Sequence, residues 1–162
     1  AACVIISEYV EGRGYDKAIE LRNCGDETMA LATVTVCLES NGRDAAAEGC
    51  SAQLTLAGAL APDAVITLCH PDADLGVPCD VVDRRVTNFN GDDRLILLRT
   101  GTAVGDGAWF DVFGEAGVAP GGRPWADVTL RRVDDTPHRE GAFPLHTLFD
   151  AYPLGTVDGL GD

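Results

Sequence analysis

Hydrophobic and polar residues alternate in short blocks along this chain, and turn-forming residues separate the blocks. Residues 3–10 (Cys-Val-Ile-Ile-Ser-Glu-Tyr-Val) are rich in β-branched and aromatic types, which suit a pleated, half-buried surface. Gly12 and Gly14 mark a turn. Beyond it, Ile19 and Leu21 alternate with Glu20 and Arg22, the period-2 pattern of a strand with one buried face. The same reading places strands at 33–38, 53–56, 65–69, 94–99, 108–113 and 128–133. Turn chemistry at Asn41-Gly42, Ala61-Pro62-Asp63, Asn90-Gly91 and Gly105-Asp106-Gly107 separates them. Residues 43–50, 70–82 and 114–124 read as loops, and the segment from Phe143 onward as an irregular aromatic tail. No helical periodicity persists beyond two turns. About seven to nine short strands with turns between them predict one all-β domain over residues 1–162, a sandwich or barrel.

The cysteines add a constraint. Cys3, Cys24, Cys37, Cys50, Cys69 and Cys79 are even in number and contain no Cys-x-x-Cys pair, so a zinc ribbon does not fit and a disulfide framework does. If the first hairpin turns at residues 13–14, Cys3 faces Cys24 across it. Cys37 and Cys50 bracket the Asn41-Gly42 turn, and Cys69 and Cys79 bracket a Pro-containing loop. These are the three expected pairings. Disulfides persist in oxidising compartments, so a secreted location is expected. No leader is visible ahead of Cys3; either one was removed or the sequence as given leaves it out.

Charge excludes one class of partner. Lys and Arg number 12 against 26 Asp and Glu, a net charge of -14, and Lys17 is the only lysine. Phosphate backbones need clustered cations, and here Arg84-Arg85 and Arg131-Arg132 are isolated pairs among many acids. No run of 18 apolar residues exists, so no membrane-spanning helix is expected.

Four blocks carry a family resemblance. They are residues 5–12 with 17–23, Phe89-Asn90-Gly91-Asp92-Asp93, Phe110-Asp111-Val112-Phe113-Gly114, and Thr129-Leu130-Arg131-Arg132. In order and spacing they resemble the lamin tail domain in its bacterial secreted form, over roughly residues 4–161. The tail Thr156-Val157-Asp158-Gly159-Leu160-Gly161 is similar to that form's C-terminal end. The six cysteines depart from the common pattern, as does the missing tryptophan ahead of the tail. The resemblance implies an immunoglobulin-like β-sandwich serving as an accessory or interaction module, and its motif supplies no catalytic residues.

Candidate chemistry is sparse. Asp92 and Asp93, with Asp106 and Asp111, could supply oxygens to calcium, which takes six to eight of them; turn chemistry alone also accounts for Asp92 and Asp93. His70 to Gly76 starts like a calcium loop but lacks the later ligands. Cys69, His70 and Cys79 could bind zinc or act as a thiol site, but a disulfide beside an exposed histidine explains them more simply. Ser7, Ser40 and Ser51 lie in no nucleophile elbow. Glu8 and Glu20 could form an acid–base pair, yet the unbroken hairpin register places Glu8 against Ile19 and Glu20 against Ser7. That puts the two carboxylates on opposite faces. Trp109 and Phe110 must point to opposite faces, so one of them is a candidate contact surface.

These observations predict a secreted, non-catalytic interaction module that binds a protein or cell surface, or assembles with itself as an extracellular structural subunit. An extracellular hydrolase, or a domain accessory to one, is the alternative. The charge makes a direct prediction: the chain is not retained by duplex DNA or RNA near physiological salt, as an electrophoretic shift measured across salt concentrations reads.

Overall fold

The computed structural model describes residues 1–117, 122–139 and 141–162, so part of the expected 114–124 loop lies outside the described residues. The strands are β1 (Val4–Glu11), β2 (Lys17–Asn23), β3 (Met29–Ala30), β4 (Val34–Glu39), β5 (Ala52–Thr55) and β6 (Ala59–Leu60). They continue as β7 (Val65–Cys69), β8 (Val81–Val82), β9 (Arg94–Arg99), β10 (Trp109–Phe113), β11 (Val128–Arg132) and β12 (Phe149–Tyr152). Two single-turn helices, α1 (Ala45–Glu48) and α2 (Leu145–Leu148), interrupt segments expected to be irregular.

One sheet has the order β12-β11-β1-β2-β7-β8 and the other β10-β9-β4-β5. A small β3-β6 pair stands apart. All pairings are antiparallel except β7 with β8. The expected disulfide-stabilised all-β sandwich is therefore the observed architecture. All eight strands read from the alternation are present. The short β3, β6 and β8 lie in stretches too brief to alternate, and β12 lies in the tail expected to be irregular.

The core fills the space between the sheets. Ile6, Ile19, Leu21 and Leu68 from the six-stranded sheet meet Val36, Leu95 and Leu97 from the four-stranded one. At one end Phe113 packs against four rings, with centroids 4.1 Å from Tyr9, 5.0 Å from Phe143, 5.4 Å from Phe149 and 5.8 Å from Trp125. Burying large rings in offset and edge-on contact dominates the energetics of such a core. The aromatic tail thus supplies two of the four rings around Phe113, Phe143 and Phe149.

Two smaller apolar clusters lie on the outer faces. Ile96, Leu98 and Val112 of the four-stranded sheet pack under Ala45 of α1 and Val104. Val10 and Ala18 of the six-stranded sheet pack under Leu160 and the Leu75–Val77 stretch.

The hairpin register follows the expected one from Val4–Asn23 to Ile6–Leu21, then shifts by one residue at Ser7. Beyond this bulge Tyr9 pairs with Ile19 and Glu8 pairs directly with Glu20. The expectation that these carboxylates occupy opposite faces is thereby corrected: an inserted residue re-aims every later side chain.

The three disulfides join Cys3 to Cys24, Cys37 to Cys50 and Cys69 to Cys79, as the spacing predicts, with Cα separations of 4.9, 5.6 and 6.0 Å. The first closes a 21-residue separation and the others 13 and 10. Three such bonds mark a chain built for an oxidising environment. Because longer closed loops restrict the unfolded chain more, serine replacement of Cys3 and Cys24 together should cost at least as much as loss of either other pair, about 2–4 kcal/mol. Calorimetric melting of the three double variants checks the order.

A candidate functional site beneath the C-terminal strap

The site grows from the Ser7 bulge. With Glu8 opposite Glu20, two carboxylates share the outer face of the six-stranded sheet, and each is nearly inaccessible at 3% and 4% exposure. The Ser7 hydroxyl donates to Glu20 Oε1 at 2.6 Å. Arg131, one strand away on β11, donates from Nε to Glu8 Oε1 at 3.3 Å. Its guanidinium also stacks on the Tyr152 ring, 4.2 Å from the centroid.

Residues 156–162 form a strap over this face. The Thr129 hydroxyl donates to the Thr156 carbonyl at 2.7 Å. Arg131 donates from Nη2 to the Asp158 carboxylate. Gly161 N–H donates to Glu20 Oε2 at 2.7 Å. Leu160 fills the outer apolar cluster beside Val10 and Ala18. At Gly159 a Cβ would come within 2.8 Å of the Arg131 guanidinium carbon, so a side chain there would push that guanidinium aside. A cavity of about 240 Å³ lies elsewhere, near the N-terminus between Met29, Arg99 and Phe110, and contains none of these groups.

Burial sets the electrostatics. Desolvation pushes Glu8 up to about 7 despite the opposing pull of Arg131, and Glu20 and Asp158 push it further in the same direction. Glu20 is also raised, again by burial first, against the Ser7 and Gly161 hydrogen bonds that favour its charged form.

The other acids sort into separate places. Asp93 accepts from Asn41 N–H at 2.8 Å and Asn90 N–H at 3.1 Å, joining two turns, and burial pushes it up to about 6. Asp92 beside it is buried. Gly91 in the same turn has φ +92, and a Cβ there would strike Ala126 at 2.4 Å. The Trp125 indole donates to the Asp93 carbonyl at 3.0 Å. The Phe89–Asp93 motif is thus a junction between turns and the aromatic cluster.

Asp106 instead accepts from Ala103 N–H at 2.9 Å within its own 3₁₀ turn. Asp111 is fully buried and lies against Arg132. The four candidate calcium ligands therefore do not converge. Among the described residues, no three His, Cys, Asp or Glu side chains form a metal-sized group.

Phe110 is a core residue at 2% exposure, with the Arg99 guanidinium 4.4 Å from its ring centroid, so it is not a contact surface. Trp109 packs on the opposite face, half-buried, with its indole N–H on the Val104 carbonyl at 2.9 Å. His70, expected to be exposed, is buried: it stacks on Tyr15 at 4.6 Å, and its Nδ1 accepts from Asp72 N–H.

Two polar groupings went unread in the sequence. Arg94 donates to Glu39 at 2.8 Å near α1. Asp111 takes both Arg132 Nη atoms at 3.1 and 2.8 Å, together with Ile6 N–H and His138 N–H, each at 2.8 Å. Arg-rich Thr129–Arg132 was the only sequence signal for this second group.

No family model matches the chain, and no curated protein sequence matches it.

Removing one partner of a buried ion pair strands the other charge without solvent. Arg132→Leu should therefore destabilise the fold by about 3–5 kcal/mol, read as the shift in urea unfolding. Arg22→Leu, whose ion pairs to Asp63 and Asp135 are solvent-exposed, should cost less than about 1 kcal/mol.

Proposed function

We propose that this chain is a secreted, non-catalytic interaction module of lamin-tail type that binds a protein or cell-surface partner and pairs with copies of itself as an extracellular structural subunit. The resemblance of its motifs to that family, and an immunoglobulin-like arrangement of the two sheets, support the reading. So do three disulfides, which suit an oxidising extracellular setting. Among the described residues, no helix is long and apolar enough to cross a membrane.

The observation that carries the self-pairing part is the β5 edge. β5 pairs with β4 on one side only, at the end of its sheet. The bond from Leu56 N–H to Val34 O sets the alternation, so the N–H and C=O groups of Gln53 and Thr55 point away from β4. Both residues are exposed. Natural edge strands are commonly guarded by charge or proline. Here residues 49–61 contain neither, and the uncharged stretch runs on through Pro62, the longest in the chain. In a protein of net charge -14, this is where two like-charged copies approach with least repulsion. Antiparallel pairing centred on Leu54 sets Gln53 against Thr55 of a second copy and satisfies both sets of groups.

The hydrolase alternative has one specific observation in its favour, the Glu8–Glu20 pair. Acid–base catalysis needs a carboxylate within reach of a substrate. Both of these are instead committed to Ser7, Arg131 and the strap.

Sedimentation across micromolar concentrations, with and without calcium, tests the reading. The expected result is reversible dimerisation that Gln53→Lys with Thr55→Lys weakens at least tenfold. A strictly monomeric chain in every condition removes the structural-subunit reading and leaves a module for some other partner.

A further inference from the structure

The same strap that covers the Glu8–Glu20 pair is tied to the fold mainly through groups that touch those carboxylates, and we propose that it is a pH-operated latch, docked in acid and released in alkali. The inference stands apart from the β5 edge, since it concerns the other sheet.

The geometry couples strap and charge directly. Gly161 is held by Glu20, and Asp158 is held by Arg131, which also donates to Glu8. The groups facing the pair come from every element packed around it. They are Ser7 on β1, Arg22 on β2, Thr67 on β7, which pairs with Glu20 and holds the Asp80 carboxylate beside the strap, Arg131 on β11, and Asp158 and Asp162 on the strap. When one carboxylate is neutral, a single buried anion of the pair remains beside Arg131. When both are ionised, two buried anions face each other across a β-pair, with strap carboxylates beside them and one shared guanidinium. Lifting the strap rehydrates both.

The sign follows from linkage. Glu8 lies at about 7 in the docked state, above its ordinary value of 4.5, and Glu20 is shifted in the same direction. A raised carboxylate contributes stability that is complete below its unfolded value and is lost as pH rises through the folded one. Docking therefore weakens as pH rises through about 7, while Asp158, lowered by its bond to Arg131, keeps its own tie except in strong acid. Release uncovers Val10 and Ala18 beside two ionised glutamates, an acidic-rimmed apolar face that the closed strap hides.

Nuclear magnetic resonance of the full chain from pH 5 to 9 tests the latch by following the Gly161 amide and the Glu8 carboxyl carbon. The expected result is loss of protection at residues 157–161, relative to the intrinsic exchange rate, with the same midpoint as Glu8 titration. Glu8→Gln should abolish the step near neutrality and keep the strap docked at pH 9. Asp158→Asn should loosen the strap at every pH. A Gly161 amide protected and unshifted through pH 9 overturns the proposal, as does a Glu8→Gln chain that retains the step. Should that variant not fold, separate midpoints for Glu8 and Gly161 in the unaltered chain overturn it alone.

Discussion

Asp111 holds the two sheets together where backbone pairing stops. It belongs to β10 in the four-stranded sheet, yet three of its four hydrogen bonds go to β1 and β11 of the other sheet. The β1–β11 ladder is paired only from Glu8 to Glu11 on the β1 side. Ile6, just before the Ser7 bulge, has no β11 partner, and its N–H and C=O are taken by Asp111 and Arg132. A buried backbone group without a partner is costly, so this side-chain pair continues the ladder by other means. A register shift between Trp109 and Asp111 turns Asp111 inward, beside Phe113 rather than with Val112. Two bulges, one in each sheet, thus meet at a single carboxylate. The His138 N–H on the same carboxylate draws residues 134–138 along the β10 edge, where Val112 N–H finds the His138 carbonyl.

The Ser7 bulge has a second effect on the opposite face. It carries Glu8 into line with Glu20, and two acids so placed are tolerable only if covered groups answer them. Arg131, Ser7 and the strap do so. The disulfides sit around the same weak points. Cys3–Cys24 closes the hairpin end nearest the bulge, and Cys69–Cys79 pins the loop that supplies Leu75 and Val77 to the cluster under the strap.

Periodicity made the strands legible because each has one face in a core, and the pairings of all six cysteines followed from turn positions. What alternation cannot show is a register shift. An inserted residue leaves the pattern Ile-Ser-Glu-Tyr looking like an ordinary strand while changing which side chains meet. The Glu8–Glu20 site was therefore misread in the one property that creates it. Asp111 was read from the sequence only as a possible calcium ligand, not as a buried acid. Its partner Arg132 lies 21 residues on and no local pattern connects them. At the Asp92–Asp93 turn the sequence left a turn and a calcium reading open, and Asp93 accepts from the backbone of two turns, as short side chains near glycine commonly do.

The distribution of the few cations explains how so acidic a chain stays folded. Excess like charge opposes the compact state. Arg132 and Arg94 have side chains only 2% and 11% exposed, and Lys17, close to Glu11, is 10% exposed. Lys17 donates to the Phe89 carbonyl, and Glu11 accepts from Asp127 N–H. These three bases thus sit where acids cannot be hydrated, while exposed acids such as Asp26 and Asp158 keep their charge in solvent. A surface left with net negative charge repels its own copies everywhere except where charge is missing. The uncharged run that includes β5 is an edge that neither charge nor proline guards.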